Sequence, residues 1–168
     1  EGLLEVTPYT GNNYLIKNGR IRVAQDRMHF EHHNGTPFFW LGDTWWMGMT
    51  SRLDFTVGFK QLVADRLAKG FNVIQLVAGP MPDMAYPDER NANEGGMPLS
   101  PDMETVNPAF FDYCDQKIDY LVRAGIVPCI VGMWGYHLKE MSVERAQRYW
   151  RYLIARYCAY PVFWCAAG

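Results

Sequence analysis

A carboxylate, a hydroxyl and two indoles stand in a row at Asp43-Thr44-Trp45-Trp46. A carboxylate can accept from a sugar hydroxyl or orient another acid. An indole can stack on the apolar C–H face of a sugar ring. Trp134, Tyr136 and His137 repeat the theme, two rings and an imidazole within four positions. His137 could donate to a hydroxyl or stay exposed. Glu94, in Asn91-Ala92-Asn93-Glu94-Gly95-Gly96, could reach over a pocket as an extra acid or remain a solvated loop carboxylate. These seven residues are the candidate substrate contacts. Each also has a structural use: Asp43 can fix a loop and the tryptophans can pack a rim. Gln75, inside an apolar run, needs an amide partner wherever it points.

Chemistry of this kind needs a scaffold, and the flanking runs supply one. Pro37-Phe38-Phe39-Trp40-Leu41-Gly42 is an unbroken apolar stretch that reads as a strand buried on both faces, with Asp43 at its C-terminal end. Parallel α/β folds place their sites at such ends. A helix is expected from Phe55 to Lys69, with Phe55, Phe59, Leu62, Val63 and Leu67 as its apolar stripe and Gly70 as its stop. Phe71–Ala78 is the second strand. Gly79–Val106, rich in proline, is long enough to be a lid or binding loop.

Asn107-Pro108 starts the next helix, whose stripe is Phe111, Cys114, Ile118, Leu121 and Val122, and Gly125 ends it. Ile126–Val131 is the third strand, with Pro128 near its start. After the Gly132–Glu140 loop, Ser142 caps a third helix with Val143, Ala146, Trp150, Leu153, Ile154 and Tyr157 facing inward. Val162–Ala167 is a fourth strand, and Gly168 follows it. Ahead of all this, residues 1–35 form an irregular lead-in and a short β-hairpin, Ile21–Val23 with Met28–His32. The expected fold class is α/β: residues 36–168 fit either about the first four strands and three helices of a (β/α)₈ barrel or a small open parallel sheet.

Composition narrows the partners. The net charge is -2 and the basic residues are scattered, which argues against nucleic acid and anionic membrane. Aromatics make up 15% of the chain, more than a core alone requires. Cys114, Cys129, Cys158 and Cys165 show no CxxC spacing and read as buried reduced thiols. That favours a bacterial periplasm or cytoplasm over a disulfide-rich extracellular setting. His29, His32 and His33 are close in sequence, but His32 on an alternating strand points away from both neighbours. Neither metal nor cofactor is expected. Asp112, Asp115 and Asp119, spaced three and four apart, read as a solvated helix face.

The chain resembles the apiosidase-like glycoside hydrolase family. The likeness lies in Thr36-Pro37-Phe38-Phe39-Trp40-Leu41-Gly42-Asp43-Thr44-Trp45 and in Asp65-Arg66-Leu67-Ala68-Lys69-Gly70-Phe71-Asn72-Val73-Ile74-Gln75. It continues through Asn107–Asp112, Gly125–Pro128 and Pro161–Gly168. The resemblance implies a (β/α)₈ barrel that hydrolyses glycosidic bonds in a plant or microbial polysaccharide. It also implies that both catalytic carboxylates lie beyond Gly168, so that residues 1–168 alone are inactive and need the rest of the barrel. The alternative is a non-catalytic carbohydrate-binding or assembly subunit, in which a second copy completes the barrel.

Overall fold

The computed structural model describes residue 3 and residues 5–166. Ala167 and Gly168, expected at the end of the fourth strand, lie outside the described residues, as do Glu1, Gly2 and Leu4 of the lead-in. The chain divides into two compact units, residues 1–39 and 40–168.

The first unit holds a short helix, α1 (Tyr14–Asn18), and a three-stranded antiparallel sheet. Its strands are β1 (Ile21–Val23), β2 (Phe30–His32) and β3 (Pro37–Phe38), paired in chain order. The expected hairpin is β1 with β2, in the register Ile21 to His32. His32 is buried edge-on between the rings of Tyr14 and Phe38, and its Nδ1 lies 3.0 Å from the Gly19 carbonyl.

The apolar run at 37–42 is not one strand. Pro37 and Phe38 belong to β3 and pair with β2, Phe39 is 79% exposed, and the first parallel strand, β4, spans Gly42–Trp45. The stretch is continuously apolar because it contributes to two sheets. No single strand there has both faces buried.

In the second unit β4, β5 (Val73–Val77), β6 (Val127–Val131) and β7 (Phe163–Cys165) form a parallel sheet in chain order. This is the α/β arc expected of a partial (β/α)₈ barrel. Thr44, Gln75, Cys129 and Phe163 stand in one row across it; Trp45, Leu76, Ile130 and Trp164 stand in the next. Neighbouring rows point to opposite faces. Trp45, Ile74, Leu76 and Ile130 pack with Phe59, Val63, Phe111, Ile118, Tyr149 and Leu153 in the main core, so this face is covered by helices. On the opposite face Val77 and Val131 are sealed by Met81, Met84 and Trp134. Trp40 also lies on that side and stacks on Phe163, with ring centroids 4.4 Å apart. A Cβ on Gly42 would come within 2.9 Å of the Trp40 indole nitrogen, so this position takes glycine.

The helices start and stop where local chemistry directs. Asp54 opens a π-helical turn, Phe55–Phe59, which runs into α2 (Lys60–Ala68). Asn107 caps α3 (Pro108–Ala124) with Pro108 in its first turn, and Gly125 ends it at φ 89°. Ser142 caps α4 (Val143–Tyr157). Pro128 is the second residue of β6, close to its expected place. Two expectations for α4 fail: Val143, 68% exposed, and Ile154 face outward. The acidic face of α3 is not merely solvated, since Arg156 of α4 bonds Asp112 at 2.5 Å and Asp115 at 2.7 Å. None of the four cysteines is in a disulfide, and Cys158 is exposed rather than buried. Among the described residues no helix is long and apolar enough to cross a membrane.

Candidate functional site

The C-terminal ends of the parallel strands carry the candidate rim. Trp46 directly follows β4 and is 38% exposed. Trp134, half-buried, follows β6 and precedes a 3-10 turn, Gly135–Glu140. Their rings meet edge to face at 5.0 Å, so two strand ends not adjacent in the sheet share one aromatic pair. Its half-exposed indole surface suits a flat ligand with C–H faces.

Trp45 does not belong to this rim. It is the last residue of β4, 5% exposed, and it points to the helix-covered face, where it packs edge-on against Phe59. Because strand neighbours alternate, Trp45 and Trp46 cannot both look into one pocket. Asp43 is likewise not at the strand end. It is the second residue of β4, and its carboxylate accepts from Arg66 Nε (2.5 Å), Trp45 Nε1 (3.0 Å) and Thr44 N (2.8 Å). Burial pushes its carboxyl upward, but Arg66, the indole and the amide outweigh that and hold it below the ordinary Asp value. The ion pair ties β4 to α2.

His137 is buried at 0% exposure, contrary to the expectation of an exposed ring. Its Nε2 lies 3.0 Å from the Met81 carbonyl and its Nδ1 3.1 Å from Glu140 Oε2. Tyr136 beside it donates its hydroxyl to the Pro82 carbonyl. Together they clasp residues 81–84 at the start of the long connection after β5. Glu94 is exposed in a turn closed by Asn93 and Gly96. Gln75 stands on the face opposite the helices, half-buried, in the row with Thr44 and Cys129. The structure thus brings Trp46, Trp134, Tyr136 and His137 to one end of the sheet and leaves Asp43 and Trp45 on its helical side.

The long connection from Gly79 to Val106 is packed down. Asn91 Oδ1 accepts from the Met81 amide at 2.7 Å, and Asn93 Nδ2 donates to Phe110 O at 2.8 Å and Met49 O at 3.2 Å. Arg52 pairs with Asp83, which joins it to the loop after β4. The sequence reading missed these residues and one more, Lys117. This lysine falls inside the apolar stripe of α3 beside Cys114 and Ile118, and that placement was the available signal. Among the described residues no group of three or more His, Cys, Asp or Glu could hold a metal ion.

A parallel sheet with helices on one face and an aromatic rim at its C-terminal ends is an arc of the barrel type found in glycoside hydrolases. The chain belongs to the apiosidase-like family, whose catalytic-domain model matches residues 24–168. It is similar to the solved structure of a glycoside hydrolase, 25% identical, with a TM-score of 0.68 over 90% of this chain and 34% of the other. It is similar too to a family 5 glycoside hydrolase from Bacteroides vulgatus, 25% identical, with a TM-score of 0.70 over 90% of this chain and 33% of the other. The chain therefore spans about a third of the length of these structures. No curated protein matches it.

Proposed function

We propose that this chain forms the opening part of the catalytic barrel of a glycoside hydrolase acting on a plant or microbial polysaccharide, with Trp46 and Trp134 as its sugar-stacking surface. The observation that carries the reading is the edge-to-face indole pair at the C-terminal ends of β4 and β6. Family membership and the barrel-type neighbours support it. Tyr136 and His137 hold the loop beside the pair. Hydrolysis uses two carboxylates, about 5–9 Å apart. Beside the rim Asp83 is paired with Arg52 and Glu140 with His137, and Asp43 is bound to Arg66 on the helical side. We therefore assign both catalytic acids to sequence outside residues 1–168.

Two measurements test this. Residues 1–168 alone should turn over no aryl glycoside or plant oligosaccharide. Turnover in host-free material that disappears with Asp43→Ala or Glu94→Ala would put the acids inside the chain. In the full-length protein, Trp46→Ala and Trp134→Ala should each raise the Kd for bound oligosaccharide about five-fold, one aromatic contact's worth. Unchanged affinity in both variants would remove the indole pair from the sugar site.

A further inference from the structure

Among the described residues Lys117 is a buried cation that nothing above employs. It sits on α3 at 1% exposure, within the main core. Its Nζ donates to three backbone carbonyls: Gly48 O at 2.8 Å, Thr50 O at 2.9 Å and Leu53 O at 2.8 Å. The Phe59 ring lies 5.5 Å from the same nitrogen. All three carbonyls belong to the loop that leaves β4 through Trp46. That loop is wound so that they converge: Gly48 N donates to Trp45 O, and Thr50 donates through both its amide and its hydroxyl to Met47 O. Asn93 and Ser51 bind the same loop, Asn93 Nδ2 donating to Met49 O and the Ser51 amide to Ala92 O.

Three carbonyl oxygens aimed at one point repel one another unless a donor with three hydrogens sits between them. Only an ammonium supplies three donors from a single atom. Burial pushes Lys117 down from the ordinary lysine value, yet three short contacts to acceptors are met in full only by the charged form.

We propose that Lys117 is a positioning residue for the Trp46 indole: its ammonium gathers the carbonyls of Gly48, Thr50 and Leu53 and thereby fixes the loop that presents Trp46 to the rim. The consequence for sugar binding rests on the function proposed above; the consequence for the loop does not.

The test uses the full-length protein labelled with fluorotryptophan, the Trp46 resonance being assigned with Trp46→Phe. In Lys117→Ala the Trp46 signal should move or broaden while that of Trp164 stays. Propylammonium, which replaces the missing charge and length, should restore it, and 1-propanol should not. Lys117→Met, which fills the volume without a donor, should behave like the alanine variant and resist rescue. Affinity for xylotetraose or cellotetraose should fall about five-fold in both variants, as expected from loss of one stacking contact. An unmoved Trp46 signal in a folded Lys117→Ala, or equal rescue by 1-propanol, overturns the proposal. Should neither variant fold, the unaltered protein decides. A slowly exchanging Lys117 ammonium at neutral pH is expected, and its absence overturns the cage. Wild-type protein that binds neither sugar would defeat the sugar reading, while the resonance still decides the part played by Lys117.

Discussion

Asp54 shows how much one side chain can organise. Its carboxylate accepts from the Thr56 hydroxyl at 2.7 Å and from the amides of Val57 (2.8 Å) and Gly58 (3.1 Å), and so starts the π-helical turn that leads into α2. The Thr56 hydroxyl first, then those amides, hold its carboxyl down at about 2. The folded value lies below the ordinary one of about 3.9, so the cap's stabilisation is complete above that value and is lost as pH falls toward the folded one. Asp54→Asn should lower Tm by a few degrees at neutral pH, and the gap to wild type should close on acidification to about pH 2. Thermal melts at stepped pH read this directly. A gap that stays constant down to the acid limit would mean that Asp54's charge is not what caps the turn. The same scale separates the two neighbouring indoles: Trp45 and Trp46 have identical chemistry, but alternation along β4 commits one to the core and frees the other for the rim.

At the scale of elements, the contact between the long connection and α3 is close enough to test with a methyl group. A Cβ on Gly95 would meet the Ala109 carbonyl and the Phe110 amide, both backbone atoms. Gly95→Ala should therefore cost about 3 kcal/mol, because the helix start or the loop must shift. Gly70→Ala meets nothing within 4 Å and carries only the penalty of its left-handed backbone at φ +81°, about 1 kcal/mol. Urea unfolding of the two variants compares them, and equal losses would show that the loop is not seated on α3 as described. The helix boundaries here were legible in the sequence because caps are local: Asn107-Pro108, Gly125 and Ser142 stand where the structure needs them. The first parallel strand was not. Its apparent hydrophobic run spans two sheets, and placing its end at Gly42 instead of Trp45 sent Asp43 to the rim and put both indoles there. His137 and Lys117 were misread or missed for a related reason. Apart from the nearby Glu140 that meets His137, their partners are backbone carbonyls distant in sequence, at Met81 and at Gly48 to Leu53, and carbonyls leave no trace in residue type.

At the scale of the whole molecule, the sheet order ends in β4 on one side and β7 on the other. Neither Gly42–Trp45 nor Phe163–Cys165 carries the lysine or mid-strand proline that discourages edge pairing. Beside β7, Val143, Ile154 and Trp164 are exposed, and a groove of about 630 Å³ runs along α4, lined by Leu138, Met141, Ala146 and Trp150. Apolar surface of this kind drives association. Residues 1–168 should therefore self-associate or aggregate at moderate concentration. Light scattering coupled to size exclusion measures this, and a monodisperse monomer with a cooperative melt would show that these surfaces are tolerated in water.

The stack of Trp40 on Phe163 bears on how such a sheet is made. Three strand spacings of about 4.8 Å separate β4 from β7 along a flat sheet, roughly 14 Å, yet these two rings touch. Trp40, two residues ahead of β4, reaches across that span to Phe163, a contact that a sheet curled toward this face favours. A ribosome delivers Trp40 early and Phe163 late, and domains take shape from their N-terminal end as they emerge. Once the fourth strand is out, the two rings lock the bend, and any strand added beside β7 meets an edge already curved the way a barrel needs.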